Sequence, residues 1–453
     1  MLREEDILVS YRDLPFALKK ANMTEAIPIS EEEFSALKGT LRHVAYDNMY
    51  MPCMYVQVTG RCNFNCLHCF AAKDNDPRVS EISMEQMTRL MDMARDCGIC
   101  SVGITGGEPT VHPQIREIIR GFAERGIAVK MFFTNGYLLS QDILDLFREL
   151  NQDPLIWVSF DGIGTHDVMR GIPGAEKAAL KALELCIQNG FQTAVNMQVN
   201  RKTAGVIGES LRILDAMGVG STRLIKTTAT PRWALNAEGD DLTFNQYAGI
   251  CLDIVEQYSK EVHQMRVEIW SITGWDPLST ENGWEFPGAR IRHSYEDPED
   301  LPMCAAHKSI AYVGSNGEIY PCLQMQGILD SRGISFGNVF KDGLHNLLQE
   351  DSIYFKAKNH TVAEKLKYNQ KCGKCDYREL CRTGCPLLSM LYHNDMMALD
   401  DSTCEFYESG FYEKVLNLAG CTVIDCGTFK WRESAYCQKL CERIKRKAGY
   451  IDE

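Results

Sequence analysis

The stretch Met54-Tyr-Val-Gln-Val-Thr-Gly-Arg-Cys-Asn-Phe-Asn-Cys-Leu-His-Cys69 decides the fold. Its opening residues, 54–60, are mostly apolar, β-branched or aromatic, which is typical of a buried strand. Cys62, Cys66 and Cys69 follow at once with the spacing C-x3-C-x2-C. Three thiolates on one loop can hold three irons of a cubane cluster and leave the fourth iron open to a substrate or cosubstrate. A structural zinc ion usually needs four ligands, and His68 is an awkward fourth because it adjoins Cys69.

The same strand pattern recurs along the chain, and helix-like segments separate the repeats. Ser83 and Gln86 form a capping box before the first helix pattern. Near-continuous apolar strands alternating with helices predict an α/β fold with a parallel sheet, either doubly wound or curved into a partial barrel. In both arrangements ligands gather at the carboxyl ends of the strands. The six predicted strands are residues 54–60, 100–105, 127–134, 155–160, 191–199 and 221–227, and the predicted helix stops are Gly98, Gly126, Gly190 and Gly218.

Small and polar residues stand at those strand ends. The turn Thr105-Gly-Gly-Glu-Pro109 offers a closely approaching backbone and a carboxylate, which suit the ammonium group of a bound amino acid. Hydroxyl, amide and carboxylate groups after the later strands can hydrogen-bond a ribose or a carboxylate. The plainer alternatives are that Asn135 and Asp161 make turns and that Asn196 is a satisfied core residue. The candidate contacts are Gly106, Gly107, Glu108, Thr134, Asn135, Ser159, Asp161 and Asn196.

The last third of the chain is dense in cysteine. The whole sequence holds 19 cysteines, and its N-terminus is acidic and lacks the apolar core of a signal peptide. In a cytoplasmic protein, cysteines at short spacings more often mean metal than disulfides. Thiolate tetrads bind zinc as well as iron–sulfur clusters. The pattern comprises Cys304, the turn Gly317-x4-Cys322, the run Cys372-x2-Cys375-x5-Cys381-x3-Cys385, and Cys404.

The two cysteine patterns together resemble those of radical S-adenosylmethionine enzymes with a SPASM extension, over residues 51–404. This resemblance implies a partial (β/α)6 TIM-like barrel of parallel strands plus a small cysteine-rich iron–sulfur domain. It also implies S-adenosylmethionine, one 4Fe-4S cluster that binds it, and two auxiliary clusters. Gly106, Gly107 and Glu108 match the motif that the family uses for the amino group of S-adenosylmethionine. Arg170 lies in a matching SxDGxxxHDxxRG pattern, residues 159–171, and joins the cofactor contacts.

By the same resemblance, one auxiliary cluster has four cysteine ligands and the other has three. Some relatives carry a further cysteine soon after the first of the pattern, but AHKSIAYV supplies none here. The incomplete cluster therefore needs an open iron, a non-cysteine ligand or a remote cysteine. The complete set is Cys372, Cys375, Cys381 and Cys404, the incomplete set is Cys304, Cys322 and Cys385, and the remote candidates are Cys421, Cys426, Cys437 and Cys441.

The resemblance implies reductive cleavage of S-adenosylmethionine to a 5′-deoxyadenosyl radical that takes hydrogen from the substrate. Enzymes of this architecture commonly install a cross-link, thioether, epimer or ring in a ribosomally made peptide, so the expected partners are a precursor peptide and an electron donor such as flavodoxin or ferredoxin. A small-molecule substrate is the alternative. Sulfatase maturation is disfavoured, because Leu323 and Gln324 follow Cys322 where those enzymes carry an Asp. A zinc-stapled binding protein is the alternative from a different class.

Composition narrows the partners further. The net charge of −13 disfavours a phosphate backbone, so no nucleic acid is expected. No run approaches eighteen apolar residues, so no membrane span is expected, and the cytoplasm is the expected location.

The cysteine patterns and the fading strand–helix alternation suggest five segments along the chain. Residues 1–50 read as too short for a complete recognition domain, although they could hold a leader peptide by strand addition. Four tryptophans in residues 231–300 are expected to pack between domains rather than to line a peptide groove. The expected segments are 1–50 as an N-terminal extension, 51–230 as the barrel, 231–300 as an irregular bridge, 301–410 as the auxiliary-cluster domain and 411–453 as a cysteine-containing tail.

Overall fold

The computed structural model describes the backbone of four N-terminal strands and residues 30, 53–70, 81–228, 230–278, 283–284, 303–304, 310–375, 377, 381 and 383–418. The chain forms two compact units. The first comprises Met1–Asn196, Thr228–Gly239 and Cys304–Asn359, and the second Met197–Thr227, Asp240–Met303 and His360–Glu453.

Strands and helices alternate through the middle of the chain. The strands are β1 Asp6–Ser10, β2 Ala17–Lys20, β3 Ala26–Pro28, β4 His43–Tyr46, β5 Cys53–Gln57, β6 Ser101–Thr105, β7 Ala128–Thr134, β8 Leu155–Ser159, β9 Thr193–Val199, β10 Ser221–Lys226, β11 Arg266–Ile269, β12 Thr273–Trp275, β13 Ile310–Val313 and β14 Ile319–Tyr320. The helices are α1 Met84–Asp96, α2 Ile115–Glu124, α3 Gln141–Glu149, α4 His166–Arg170, α5 Ala175–Gln188, α6 Arg201–Ala204, α7 Ile207–Met217, α8 Pro231–Asn236, α9 Phe244–Tyr258, α10 Gln326–Ser331, α11 Leu344–Leu347, α12 Ile353–Asn359, α13 Val362–Tyr368, α14 Gln370–Gly373, α15 Pro386–His393, α16 Asp401–Glu408 and α17 Phe411–Leu418.

The first unit is built on parallel strands. β5 pairs with β6, β6 with β7, β7 with β8, and β8 with the start of β9, all in parallel. On its other side β5 pairs in parallel with β13, which forms an antiparallel hairpin with β14. Their carboxyl ends therefore lie along one edge, where chemistry is expected in such sheets. All six predicted strands form, and the predicted α/β fold class is confirmed.

Local sequence signals explain the helices that flank these strands. Ser83 and Gln86 make the predicted capping box of α1, whose apolar stripe Met87, Leu90, Met91 and Ala94 is buried. Several of these helices are followed by a left-handed residue, a conformation that glycine adopts without a Cβ penalty. The predicted stops Gly98, Gly126, Gly190 and Gly218 all have positive φ.

The second unit pairs β10 with β11 in parallel and β11 with β12 in antiparallel orientation. The segment expected to be an irregular bridge is more regular than predicted, because it contains α8, α9, β11 and β12. The missed signal was the capping box of Thr243 and Gln246, which starts the fifteen-residue α9. Of the four tryptophans in this segment, Trp233, Trp275 and Trp284 are buried and Trp270 is half-buried.

The N-terminal segment holds more structure than its length suggested. Its four strands form a sheet of order β3-β2-β1-β4, in which β1 and β4 run parallel and the other pairs are antiparallel. Within the described residues, β3 and β4 are the edge strands of this sheet. No described helix is long and apolar enough to cross a membrane.

Candidate functional site

The cysteine loop follows β5 and is held on one side by the turn after β6. The Gly107 amide donates to the Thr59 carbonyl at 2.7 Å, and the Glu108 amide donates to the Arg61 carbonyl at 2.9 Å. A Cβ on Gly107 would stand 2.3 Å from the Arg61 oxygen, and one on Gly106 would stand 2.7 Å from the Thr59 oxygen. The two glycines are therefore required by the close approach of the cysteine loop's own backbone.

The opposite side of the loop is held by the end of α4. The Asn65 amide donates to the Arg170 carbonyl at 3.1 Å, and the Leu67 amide donates to the Met169 carbonyl at 3.0 Å. Gly171 ends this helix at φ 68°, and a Cβ there would lie 2.6 Å from the Asn65 oxygen. The two glycine turns thus clamp the loop from both sides, which fixes the positions from which its thiols project.

The thiols of this loop act on one another. The pKa of Cys62 is raised to about 12, first by desolvation; a hydrogen bond from the Phe64 amide opposes this, and the nearby Cys66 and Cys69 thiols add to it. Among the described residues, no group of three His, Cys, Asp or Glu side chains is placed closely enough to hold one metal ion. The donor set itself, three thiols on one backbone-clamped loop, fits a cubane cluster that is ligated by three cysteines.

Glu108 lies in the turn that follows the carboxyl end of β6. Its carboxylate is buried, and Oε1 accepts hydrogen bonds from the Thr110 amide at 3.1 Å, the Thr110 hydroxyl at 2.6 Å and the Thr134 hydroxyl at 2.7 Å. Oε2 accepts from the Asn135 amide at 2.6 Å. Burial raises the pKa of Glu108, and these hydrogen bonds oppose that shift. Glu108 therefore joins the ends of β6 and β7, two of the predicted cofactor-binding turns.

Amide side chains continue this edge toward the cysteine loop. Asn135 Nδ2 donates to Asn63 Oδ1 at 2.8 Å, which connects the turn after β7 to the loop. The buried side-chain atoms without a hydrogen-bond partner in the described part of the chain include Asn63 Nδ2 and Asn196 Oδ1. Ser159 at the end of β8 is half-buried. Such unpaired polar atoms are what a hydrogen-bonding cofactor such as S-adenosylmethionine would satisfy, so the edge fits the implied group.

Asp161 and Arg170 form a buried ion pair behind the loop. Arg170 Nε lies 2.8 Å from Asp161 Oδ2, and Nη2 donates to Asp161 Oδ1 at 3.1 Å. Arg170 Nη1 also lies 3.8 Å from the Cys66 sulfur. His68 Nε2 stands 3.7 Å from the same aspartate, and burial lowers the pKa of His68 to about 4, so this ring is neutral at pH 7. Asp161 thereby orients an arginine against a predicted cluster ligand.

Glu108→Gln should weaken binding of S-adenosylmethionine about tenfold or more without loss of iron. The substitution removes charge-assisted hydrogen bonds, each worth about 1.5–3 kcal/mol. Because both carboxylate oxygens of Glu108 accept from protein donors, the new NH₂ group of the glutamine must face one of those donors in either orientation. Isothermal titration under anaerobic conditions measures the affinity, with the exposed Glu117→Gln on α2 as the matched control. Unchanged affinity would mean that Glu108 only closes the turn.

Cys304 and Cys322 are neighbours in the first unit. The pKa of Cys322 is raised to about 11, mainly by burial and further by the nearby Cys304. The Lys358 ammonium acts in the opposite direction. Cys322 follows β14 after Pro321 and precedes a 3-10 turn, Leu323–Met325. Gly317 makes the turn before β14 at φ 81°, where a Cβ would stand 2.5 Å from the Phe340 ring. The G-x4-C pattern is thus a hairpin that delivers its cysteine beside Cys304.

The complete cysteine set lies within the second unit. The pKa of Cys381 is raised by burial first and then by Cys404, Asp400, Cys372 and Cys375, so the four predicted ligands share one neighbourhood. Asp400 caps α16, which carries Cys404, and also accepts from the Cys385 amide at 2.8 Å. Four thiols in one neighbourhood fit a fully cysteine-ligated cluster.

Some residues around the sites were not singled out from sequence. Asn63, Asn65 and Arg232 support the cysteine loop, since Arg232 hydrogen-bonds the Asn65 side chain. His68 was considered only as a zinc ligand, although it lies beside Asp161. The C-x3-C spacing could have drawn attention to Asn63 and Asn65, whereas Arg232 carries no local signal. Cys100, Cys186 and Cys251 are buried. Cys421, Cys426, Cys437 and Cys441 lie outside the described residues.

Fold and site together define a cluster-dependent radical enzyme, and comparison with known proteins agrees. The radical SAM superfamily model matches residues 56–210, and the SPASM iron-sulfur cluster-binding domain model matches residues 304–376. The chain belongs to the radical S-adenosylmethionine enzymes that carry a SPASM domain, and it uses iron–sulfur clusters and S-adenosylmethionine.

Three similar proteins illustrate the range of this family. An AdoMet-dependent heme synthase of Methanosarcina barkeri is 25% identical over 333 residues, which cover 73% of this chain and 89% of that protein. The antilisterial bacteriocin subtilosin biosynthesis protein AlbA of Bacillus subtilis is 26% identical over 330 residues, covering 70% of this chain and 66% of AlbA. The crystal structure of Streptococcus suis SuiB bound to its precursor peptide SuiA superposes with a TM-score of 0.64 at 14% identity, covering 89% of this chain and 99% of SuiB.

Proposed function

We propose that this enzyme abstracts hydrogen from a ribosomally made peptide and thereby installs a cross-link, thioether, epimer or ring. The observation that carries the proposal is the extent of the similarity to SuiB, whose whole length is matched and whose structure was determined with a precursor peptide. AlbA, a bacteriocin biosynthesis protein, supports the same substrate class.

The residues of this chain have distinct parts in that reaction. Cys62, Cys66 and Cys69 would hold the cluster, which when bound would supply the electron for reductive cleavage of S-adenosylmethionine. Gly106, Gly107 and Glu108 bind and orient the amino group of the cosubstrate at the end of β6. The protein's contribution is positioning and exclusion of water, because misplacement of the target hydrogen by one ångström already costs rate.

Further polar residues complete the cosubstrate site in this proposal. Asn63 Nδ2 and Asn196 Oδ1, which lack a hydrogen-bond partner among the described residues, are available to the polar groups of the cosubstrate. Thr134 and Asn135 bind Glu108 at the end of β7, and Ser159 lies at the end of β8. Asp161 binds Arg170, whose guanidinium lies against Cys66 of the loop. These residues bind and position rather than transfer protons.

The N-terminal sheet suits recognition of the peptide. An extended peptide adds to a sheet edge through main-chain hydrogen bonds. The edge strands β3 and β4 supply such hydrogen-bonding rows within the first unit. We place the reaction in the cytoplasm, where thiols stay reduced, with flavodoxin or ferredoxin as the electron donor.

A tetrapyrrole is the second candidate substrate, because heme synthases match most of their own length to this chain. Anaerobic co-expression with the short peptide encoded beside the gene, followed by mass spectrometry, separates the two. We expect a mass change in the peptide that is absent with the Cys62/Cys66/Cys69→Ala variant. An unchanged peptide together with conversion of an added porphyrin would overturn the peptide assignment in favour of the tetrapyrrole.

A further inference from the structure

A lysine ammonium is buried beside the incomplete auxiliary set. Lys358, on α12, is fully buried. Its Nζ donates to the Ile310 carbonyl at 2.5 Å and to the Pro321 carbonyl at 3.3 Å. The same atom lies 5.0 Å from the centre of the Tyr312 ring and 5.7 Å from that of Tyr354. Lys358 therefore ties the start of β13 to the peptide bond that precedes Cys322.

Cys304 and Cys322 act electrostatically on Lys358, and both are anionic when they ligate a cluster, because cysteine binds metal as the thiolate. An ammonium is costly to bury unless an anion compensates it. The pKa of Lys358 is lowered to about 7, because burial outweighs the effect of Cys304 and Cys322, which favour the charged form. The aromatic rings of Tyr312 and Tyr354 add cation–π attraction. The hydrogen bond to Pro321 thus places this lysine beside Cys322, and its charge also acts on Cys304, the other first-unit cysteine of the incomplete set.

A second buried lysine, Lys365, provides a comparison for the surroundings of Lys358. Lys365 in the second unit donates to the Ser389 hydroxyl at 3.0 Å, and the largest favourable charge acting on it is the carboxylate of Asp400, ahead of Cys385, Cys372 and Cys381. Lys365 thus has a carboxylate as its main counter-charge. Lys358 instead donates to the carbonyl of Pro321, the residue that precedes Cys322.

We propose that Lys358 is a positioning residue that compensates the negative charge of the Cys304 and Cys322 sulfurs and raises the reduction potential of the cluster they hold. Each one-electron reduction adds a negative charge to the cluster, and a fixed cation nearby stabilises the reduced form. The inference rests on the proposed auxiliary cluster but not on the identity of the substrate.

The test is a redox titration of reconstituted protein followed by electron paramagnetic resonance. Lys358→Gln keeps an N–H donor and removes the charge, Lys358→Met removes both, and the exposed Lys356→Met on the same helix is the matched control. We expect both neutral variants to keep about twelve irons. We expect the ratio of reduced to oxidised auxiliary cluster at a fixed potential to fall at least tenfold, which is about 59 mV for one electron.

Each outcome decides the assignment. An unchanged potential in Lys358→Gln with all irons present would overturn it, since Lys358 would then only satisfy carbonyls. If both neutral variants lose about four irons, Lys358→Arg is the deciding variant. Recovery of the iron in Lys358→Arg would show that the site needs a positive charge, and continued loss would overturn the proposal. Wild-type protein with only about four irons would instead overturn the auxiliary clusters themselves.

Discussion

Replacing Cys62, Cys66 and Cys69 together by Ala should remove about four of roughly twelve irons and all cleavage of S-adenosylmethionine. The loss is complete because no other described thiol lies on the clamped loop between β5 and α1. The backbone clamp by Gly107 and Met169 does not use the thiols, so the loop and the auxiliary clusters should persist. Iron analysis and chromatographic detection of 5′-deoxyadenosine measure the two effects.

The matched control is Cys186→Ala, which removes a buried thiol on α5. This variant should keep its iron and its cleavage activity, since Cys186 belongs to neither cysteine pattern. A colourless wild-type protein with stoichiometric zinc would contradict the prediction and would favour a zinc-stapled binding protein.

Cys322→Ala should abolish substrate modification yet leave unproductive cleavage of S-adenosylmethionine. Cys322 lies beside Cys304 and Lys358, whereas the loop of Cys62 carries its own clamp, so the radical cluster should survive the change. About four irons should be lost with the auxiliary cluster. Product mass spectrometry and 5′-deoxyadenosine formation in the same reaction separate modification from cleavage. Retained modification would show that the cluster at Cys322 is dispensable.

The C-terminal cysteines test the ligand set of that cluster. If the incomplete cluster has an open or non-cysteine position, single Ala variants of Cys421, Cys426, Cys437 and Cys441 should all keep the full iron content. Loss of about four irons in any one of them would make the tail a ligand arm and overturn the open-site prediction.

The sequence by itself determined the class of fold and the radical cluster loop. Strand and helix periodicity are local properties, so the six strands, the capping box at Ser83 and the glycine stops were all predictable. The three cysteines of the loop lie within eight residues, and their spacing alone indicates which metal group they suit. The bridge after residue 230 was missed, although the capping box at Thr243 offered a local signal for α9.

Only the tertiary structure decided what surrounds the thiols. The carboxylate of Glu108 meets donors 26 and 27 residues away, and Arg170 meets Cys66 across 104 residues. Lys358 donates a hydrogen bond to Pro321, 37 residues away, and no sequence motif predicts this contact. Such charged and polar neighbours come from separate strands and helices, and burial decides which of them face each other. No local pattern encodes that pairing, because a buried charge needs its partner in space rather than in sequence.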